Sequence, residues 1–142
     1  VGGIITDARI DGRSSTTVGV DSTWYLTQDL SLLTDVMRVD DDEGDPTSAY
    51  YAGLDLTTDP WGFLFSFRQV DDGFDPEVGF VRRDGFRSGS GSLRRSIRPG
   101  EWGVRRISFR LFGNVYDSLV QGATESSSIS VAAMIETIRD GA

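Results

Sequence analysis

The sequence contains no cysteine, no histidine and no lysine; every basic residue is arginine. Without Cys there is no disulfide framework and no thiolate metal site. Without His, a Ser-His-Asp triad, a His-ligated zinc and a His general base are all excluded. Long apolar runs are missing too. The longest is Val131-Ala132-Ala133-Met134-Ile135, far below the ~20 residues that a membrane-spanning helix needs. A transmembrane helix is therefore excluded, but a transmembrane barrel is not, because its strands alternate and keep mean hydropathy low. The chain opens at Val1 without a Met or a signal peptide and stops at Asp140-Gly141-Ala142, the start of a turn, so it reads as a piece of a longer protein. Its 142 residues suit one domain, expected to be a single β-barrel domain or a fragment of one over 1–142.

Charge is laid out in blocks. Residues 40–77 carry one Arg against eleven acids, and residues 82–110 carry nine Arg against two acids. The basic block alone would suit nucleic acid, but the whole chain has net charge −8 and no Lys, so no nucleic-acid partner is expected.

The period of the hydrophobic pattern is two. Val18, Val20, Trp24 and Leu26 alternate with Thr17, Gly19, Asp21, Thr23 and Tyr25. Leu54 and Leu56 alternate with Gly53, Asp55 and Thr57; Ile107, Phe109, Leu111 and Val115 alternate with Arg106, Ser108, Arg110 and Asn114. Ile129, Val131, Ala133 and Ile135 alternate with Ser130, Ala132 and Glu136. This is the signal of a half-buried strand. Eight strands are expected, near 2–10, 16–26, 30–39, 48–58, 61–71, 86–98, 103–116 and 127–138. At about nine to thirteen residues they match the length of a tilted membrane strand. The expected fold is all-β: an antiparallel up-and-down meander of about eight strands, part or all of a transmembrane β-barrel.

The connections are expected to alternate, long at 11–15, 40–47, 72–85 and 117–125 and short between, as in outer-membrane barrels. Trp24, Trp61 and Trp102 then fall near the short turns, and Tyr50, Tyr51, Tyr116 and Phe86 near the long loops, which suits two interfacial girdles. Three features resist. Arg95 is in phase with Leu93 and Ile97, Asp35 is in phase with Leu33 and Met37, and Asp84-Gly85 offers a hairpin signal for a ninth strand.

Chemistry is sparse. The Asp40–Asp45 run lacks EF-hand spacing and reads as a solvated acidic loop, so no metal site and no cofactor are expected. Asp75 with Glu77 is better explained as a turn than as a hydrolase pair, and no Ser has an adjacent base; no catalytic residue and no enzyme activity are expected. If the apolar face meets lipid, Arg94, Arg98, Arg106, Arg110, Asp21 and Asp55 point into a lumen. They either form opposed charges lining a pore or neutralise each other in a filled interior.

The stretch Phe74-Asp75-Pro76-Glu77-Val78-Gly79-Phe80-Val81-Arg82-Arg83 joins the acidic and basic blocks. Phe74, Pro76, Glu77, Phe80, Arg82 and Arg83 are expected to form an ordered latch, with Glu77 paired to an Arg across the barrel mouth. The stretch resembles the signature of a family of bacterial outer-membrane β-barrel domains of unknown function that follow a family-nine-type carbohydrate-binding module. The likeness lies in Pro76 to Phe80 and a basic position at Arg82 or Arg83; Asp75 stands where that family usually has Asn. The resemblance implies a secreted Gram-negative surface protein in the outer membrane, with outer-membrane lipid as a partner. It also implies polysaccharide contact through the upstream module, which this chain does not contain, and a role in glycan binding or uptake. The alternative is a soluble β-barrel or β-sandwich that binds a glycan or small ligand.

Overall fold

The structure, a computed structural model, describes residues 1–10, 13–42, 44–76, 83–100 and 103–138, without the side chains of Ile10 and Arg13. Its strands are β1 (Gly2–Ile10), β2 (Arg13–Tyr25), β3 (Leu30–Asp41), β4 (Thr47–Thr57), β5 (Trp61–Val70), β6 (Phe86–Ile97), β7 (Val104–Ser118) and β8 (Ala123–Thr137). Each pairs antiparallel with the next in sequence, in one eight-stranded sheet. The expected meander is present. β1 and β8 are not paired with each other, so the sheet is open.

The long-and-short alternation of connections needs correction. β2 begins at Arg13 and β8 at Ala123, so the stretches expected as long loops at 11–15 and 117–125 lie largely inside strands. Ser14, Ser15, Thr124 and Ser126 look like loop residues by composition. Paired neighbours nevertheless satisfy their backbone groups, and the ladder extends through them. One long connection remains, 71–85. Among the described residues no strand forms at Asp84-Gly85. Gly85, at φ +65°, instead returns the chain to the sheet, its N–H donating to the Asp71 carbonyl at 3.2 Å and its carbonyl accepting from Leu119 N–H at 2.8 Å.

The alternation sorts side chains onto two faces. The apolar face carries Val18, Val20, Trp24, Leu32, Val36, Leu54, Leu56, the row of Phe63, Phe65 and Phe67, and the alternating aliphatics of β7 and β8. It is bare: Val20 is 52% exposed, Phe109 46% and Val131 76%. Asp35 fits this scheme, because Leu33 and Met37 lie with it on the polar face while Leu32 and Val36 take the apolar one. Arg95 does stand on the apolar face, at the short-turn end of β6, with its guanidinium 5.0 Å from the Trp61 ring centre. Ser22 and Thr34, also on this face, bond each other at 2.7 Å, and Trp24 Nε1 donates to Ser22 at 2.6 Å.

The apolar band runs obliquely to the hydrogen-bond rows. At its loop-side edge the first polar residues are Thr16 on β2 and, opposite it, Asp7 on β1. On the next apolar-face row, two residues further along, Arg38 stands opposite Ser48 on β4. Two residues further again, the row of Gln69, Arg87 and Asp117 runs across β5, β6 and β7, opposite Tyr50. The edge thus climbs four residues between β2 and β7. At ~3.3 Å per residue and ~4.8 Å per strand, that is a slope of about 30°. Trp24 and Trp61 climb in the same sense at the other edge: the Trp24 row reaches β5 at Phe65, four residues short of Trp61.

Candidate functional site

The buried hydrophobic side chains among the described residues lie on the polar face. Val39, Val70, Phe74 and Phe86 pack together with Met37, Ala49 and Tyr116 around them, at the end of the sheet where the 71–85 connection folds over. Phe74 is 4% exposed, and Pro76 is buried. Phe86 stacks on Tyr116 with ring centres 4.9 Å apart. Phe86 and Tyr116 are thus inward-facing, which corrects their expected place in an interfacial girdle; their strand parity puts them with the polar set. Tyr51 likewise faces the polar side, whereas Tyr50 is on the apolar face. Trp102 lies outside the described residues.

Of the expected latch, Arg83 lies among the described residues, and Glu125 holds it. Arg83 places its guanidinium 4.9 Å from the Tyr116 ring centre and donates to Glu125 Oε1 at 2.5 Å. That hydrogen bond, with the Glu125 charge behind it, raises the Arg83 pKa above the ordinary arginine value. The carboxylate of Asp84 accepts from Gly73 N–H at 2.8 Å and closes the connection below. Glu77, Phe80 and Arg82 lie outside the described residues.

Above the buried cluster the polar face holds a cavity of about 950 Å³ that touches side chains from β2 through β7, so the sheet wraps toward this side. Across it, in consecutive register, run Asp21, Asp35, Tyr51, Arg68, Ser88 and Tyr116. Tyr51 lies flat along its own strand: a Cβ built on Gly53 would come 2.7 Å from the Tyr51 hydroxyl oxygen. Arg68 sits over the ring, 5.5 Å from its centre. The glycine leaves the room that the ring occupies. Towards the short turns a second hollow of about 600 Å³ is lined by Asp55, Arg94 and Arg110.

Five of the six expected lumen residues therefore share this face: Asp21, Asp55, Arg94, Arg106 and Arg110. Arg98 does not belong with them. β6 ends at Ile97, and Arg98 pairs with Asp59 at the neighbouring turn, because the ladder stops one residue before it. Arg106 is tied to Glu136, at 2.6 Å and 3.1 Å. Asp21, Asp35, Arg68, Arg94 and Arg110 make no ion pair among the described residues, and Asp55 accepts only from Thr57, at 2.9 Å. The face is divided: carboxylates on β2–β4, guanidinium groups on β5–β7. Asp35, Tyr51 and Arg68 were not among the expected site residues. Their signal was Asp35 in phase with Leu33 and Met37, which marks the polar face of β3.

No group of three potential metal ligands occurs among the described residues. In the acidic run Asp41 Oδ1 accepts from Gly44 N–H at 2.7 Å, a turn-forming bond. Comparisons of the chain with protein-family models, with curated proteins and with solved structures find no match.

Proposed function

We propose that the chain is part or all of an outer-membrane β-barrel whose apolar face meets lipid and whose polar face lines the interior. The oblique apolar belt carries this reading. Strands of a barrel tilt against its axis by roughly 35–45°, so a belt lying flat in a bilayer must cross the hydrogen-bond rows at such a slope. The observed climb of about 30° is close to that. A sheet whose apolar face packs in water has no reason to bound that face by a slanted line of polar residues. On β7 the apolar positions run from Val115 to Ile107, between Asp117 and Arg105. Their length along the strand, projected through the tilt, is roughly 24 Å, against a lipid-facing band of ~25 Å in such barrels.

Side chains on this face suit the reading. Arg95 lies at the belt's margin over Trp61, where its head can reach the interface. Ser22 and Thr34 satisfy each other rather than facing hydrocarbon unpaired. In a bilayer the free edges of β1 and β8 must be hydrogen-bonded, to each other or to further strands. A role in glycan binding or uptake rests on the resemblance of the Phe74–Arg83 stretch alone. The soluble alternative requires the apolar face to be covered, and it is the barer of the two faces.

Flotation of the full-length protein with lipid vesicles tests the proposal. Co-flotation that resists alkaline carbonate, together with heat-modifiable gel migration, is the expected result. Protein that stays soluble without detergent or lipid would overturn it.

A further inference from the structure

We infer that the cavity on the polar face is a binding site for a small zwitterion of the amino-acid or short-peptide class. The ammonium end would lie toward Asp21 and Asp35, and the carboxylate end toward Arg68. This deepens the proposal above and rests on it in one respect, that the polar face looks into water.

The carboxylates come first. Asp21 and Asp35 stand directly opposite each other across β2 and β3. Like charges in that position destabilise a sheet, and no described Arg pairs with either. Asp21 leans its carboxylate over Gly2 of β1, away from β3, so a cation in the cavity meets Asp35 first, with the Asp21 charge beyond it. Two strands away in the same row, Arg68 has a ring beneath it but no carboxylate. Its five N–H donors suit a carboxylate in a bidentate grip. The Cα row places the Asp35 and Arg68 backbones roughly 10 Å apart, and the Arg68 guanidinium reaches back over the Tyr51 ring on the strand between them. A ligand that bridges the two charged groups is therefore a short one.

The tyrosines argue against a sugar. Binding a saccharide by stacking needs a free aromatic face. Tyr116 has Phe86 on one side and Arg83 on the other. Tyr51 has Gly53 beneath it and Arg68 above. The rings hold the arginines in place rather than offering themselves to a ligand. At about 950 Å³ the space admits a small molecule with water around it.

Isothermal titration of the full-length protein in detergent micelles, with glycylglycine, putrescine, succinate and maltose as probes, decides the matter. Glycylglycine is expected to bind at least about ten-fold more tightly than the other three, since only it engages both ends at once. Arg68→Gln should cost glycylglycine about ten-fold and leave putrescine unchanged; Asp35→Asn should cost about the same and leave succinate unchanged. Circular dichroism checks the fold of each variant, and if one does not fold, the other and the wild-type probe series decide. Preference for maltose, equal affinity for all four probes, no binding by any, or affinities that ignore both substitutions would overturn the inference. Vesicle flotation reads the membrane proposal separately: protein that floats yet shows no zwitterion preference sinks this inference alone.

Discussion

Leu30 and Leu111 lie on one register row, reached through Leu56, Phe63 and Leu93. Judged by the ladder they are equivalent apolar-face positions. Judged by the slanted belt they are not. Leu111 is at the middle of the β7 belt, two apolar-face positions from Val115 and two from Ile107. Leu30 is the first residue of β3, at the short-turn margin. Arg on the lipid face of a barrel costs roughly 2–4 kcal/mol at the bilayer midplane and ~0–1 near the interface. Leu111→Arg should therefore cost about 2–3 kcal/mol more than Leu30→Arg, a factor of roughly 30–150 in the unfolding equilibrium. Urea titration of the protein folded in lipid vesicles, followed by Trp fluorescence, measures both. In water each would be a surface change, typically within ±0.5 kcal/mol. Two variants that agree to within about 0.5 kcal/mol would refute the slanted belt and with it the membrane reading.

Gly53→Val should drive Tyr51 off its strand, because the new Cβ falls 2.7 Å from the hydroxyl oxygen. The expected loss is about 1–3 kcal/mol by denaturant midpoint, despite the better strand propensity of Val, and an unchanged midpoint would count against the packed ring. Phe74→Ala removes a 4%-exposed ring from beneath the 71–85 connection, at a cost of roughly 3–5 kcal/mol if the site does not collapse. Limited trypsin digestion should then cut at Arg83 first while the strands survive, and wild-type resistance in the variant would contradict the latch. Trp24 and Trp61 stand at one margin of the belt; in a Trp102→Phe variant, lipids brominated near the headgroup should quench their fluorescence more than lipids brominated at the acyl ends. Stronger quenching from the acyl ends would dismiss the girdle.

The strands were legible because alternation is a local property. Gly2–Ile10 was readable to the residue, and the others within a few residues. Parity also assigned the faces, including Asp21, Asp55, Arg94, Arg106 and Arg110. What parity could not supply was the neighbour across the ladder. That Asp35, Tyr51 and Arg68 form one row depends on the registers of three hairpins, each set by turn geometry rather than by any one segment. The same limit misplaced Phe86 and Tyr116. Their position at strand ends suggested an interface, but they pack with Phe74, which reaches them from a connection. Polar strand ends such as Ser14–Ser15 and Ala123–Glu125 were read as loops because composition carries no information about backbone pairing.

The slant of the apolar belt also acts as a vernier on strand alignment. A slip of one residue between neighbours turns every side chain to the wrong face and is self-evidently costly. A slip of two keeps the parity, and a water-exposed sheet would tolerate it more readily. Here it would not pass unnoticed. Moving β3 two residues along β2 would bring Arg38 from opposite Val18 to opposite Val20, carrying a guanidinium deeper into the apolar band. In the proposed barrel, a bilayer of fixed thickness would proofread the alignment of each strand as it inserts, through the staggered charges of Arg38, Arg87 and Asp117 rather than through any hydrogen bond.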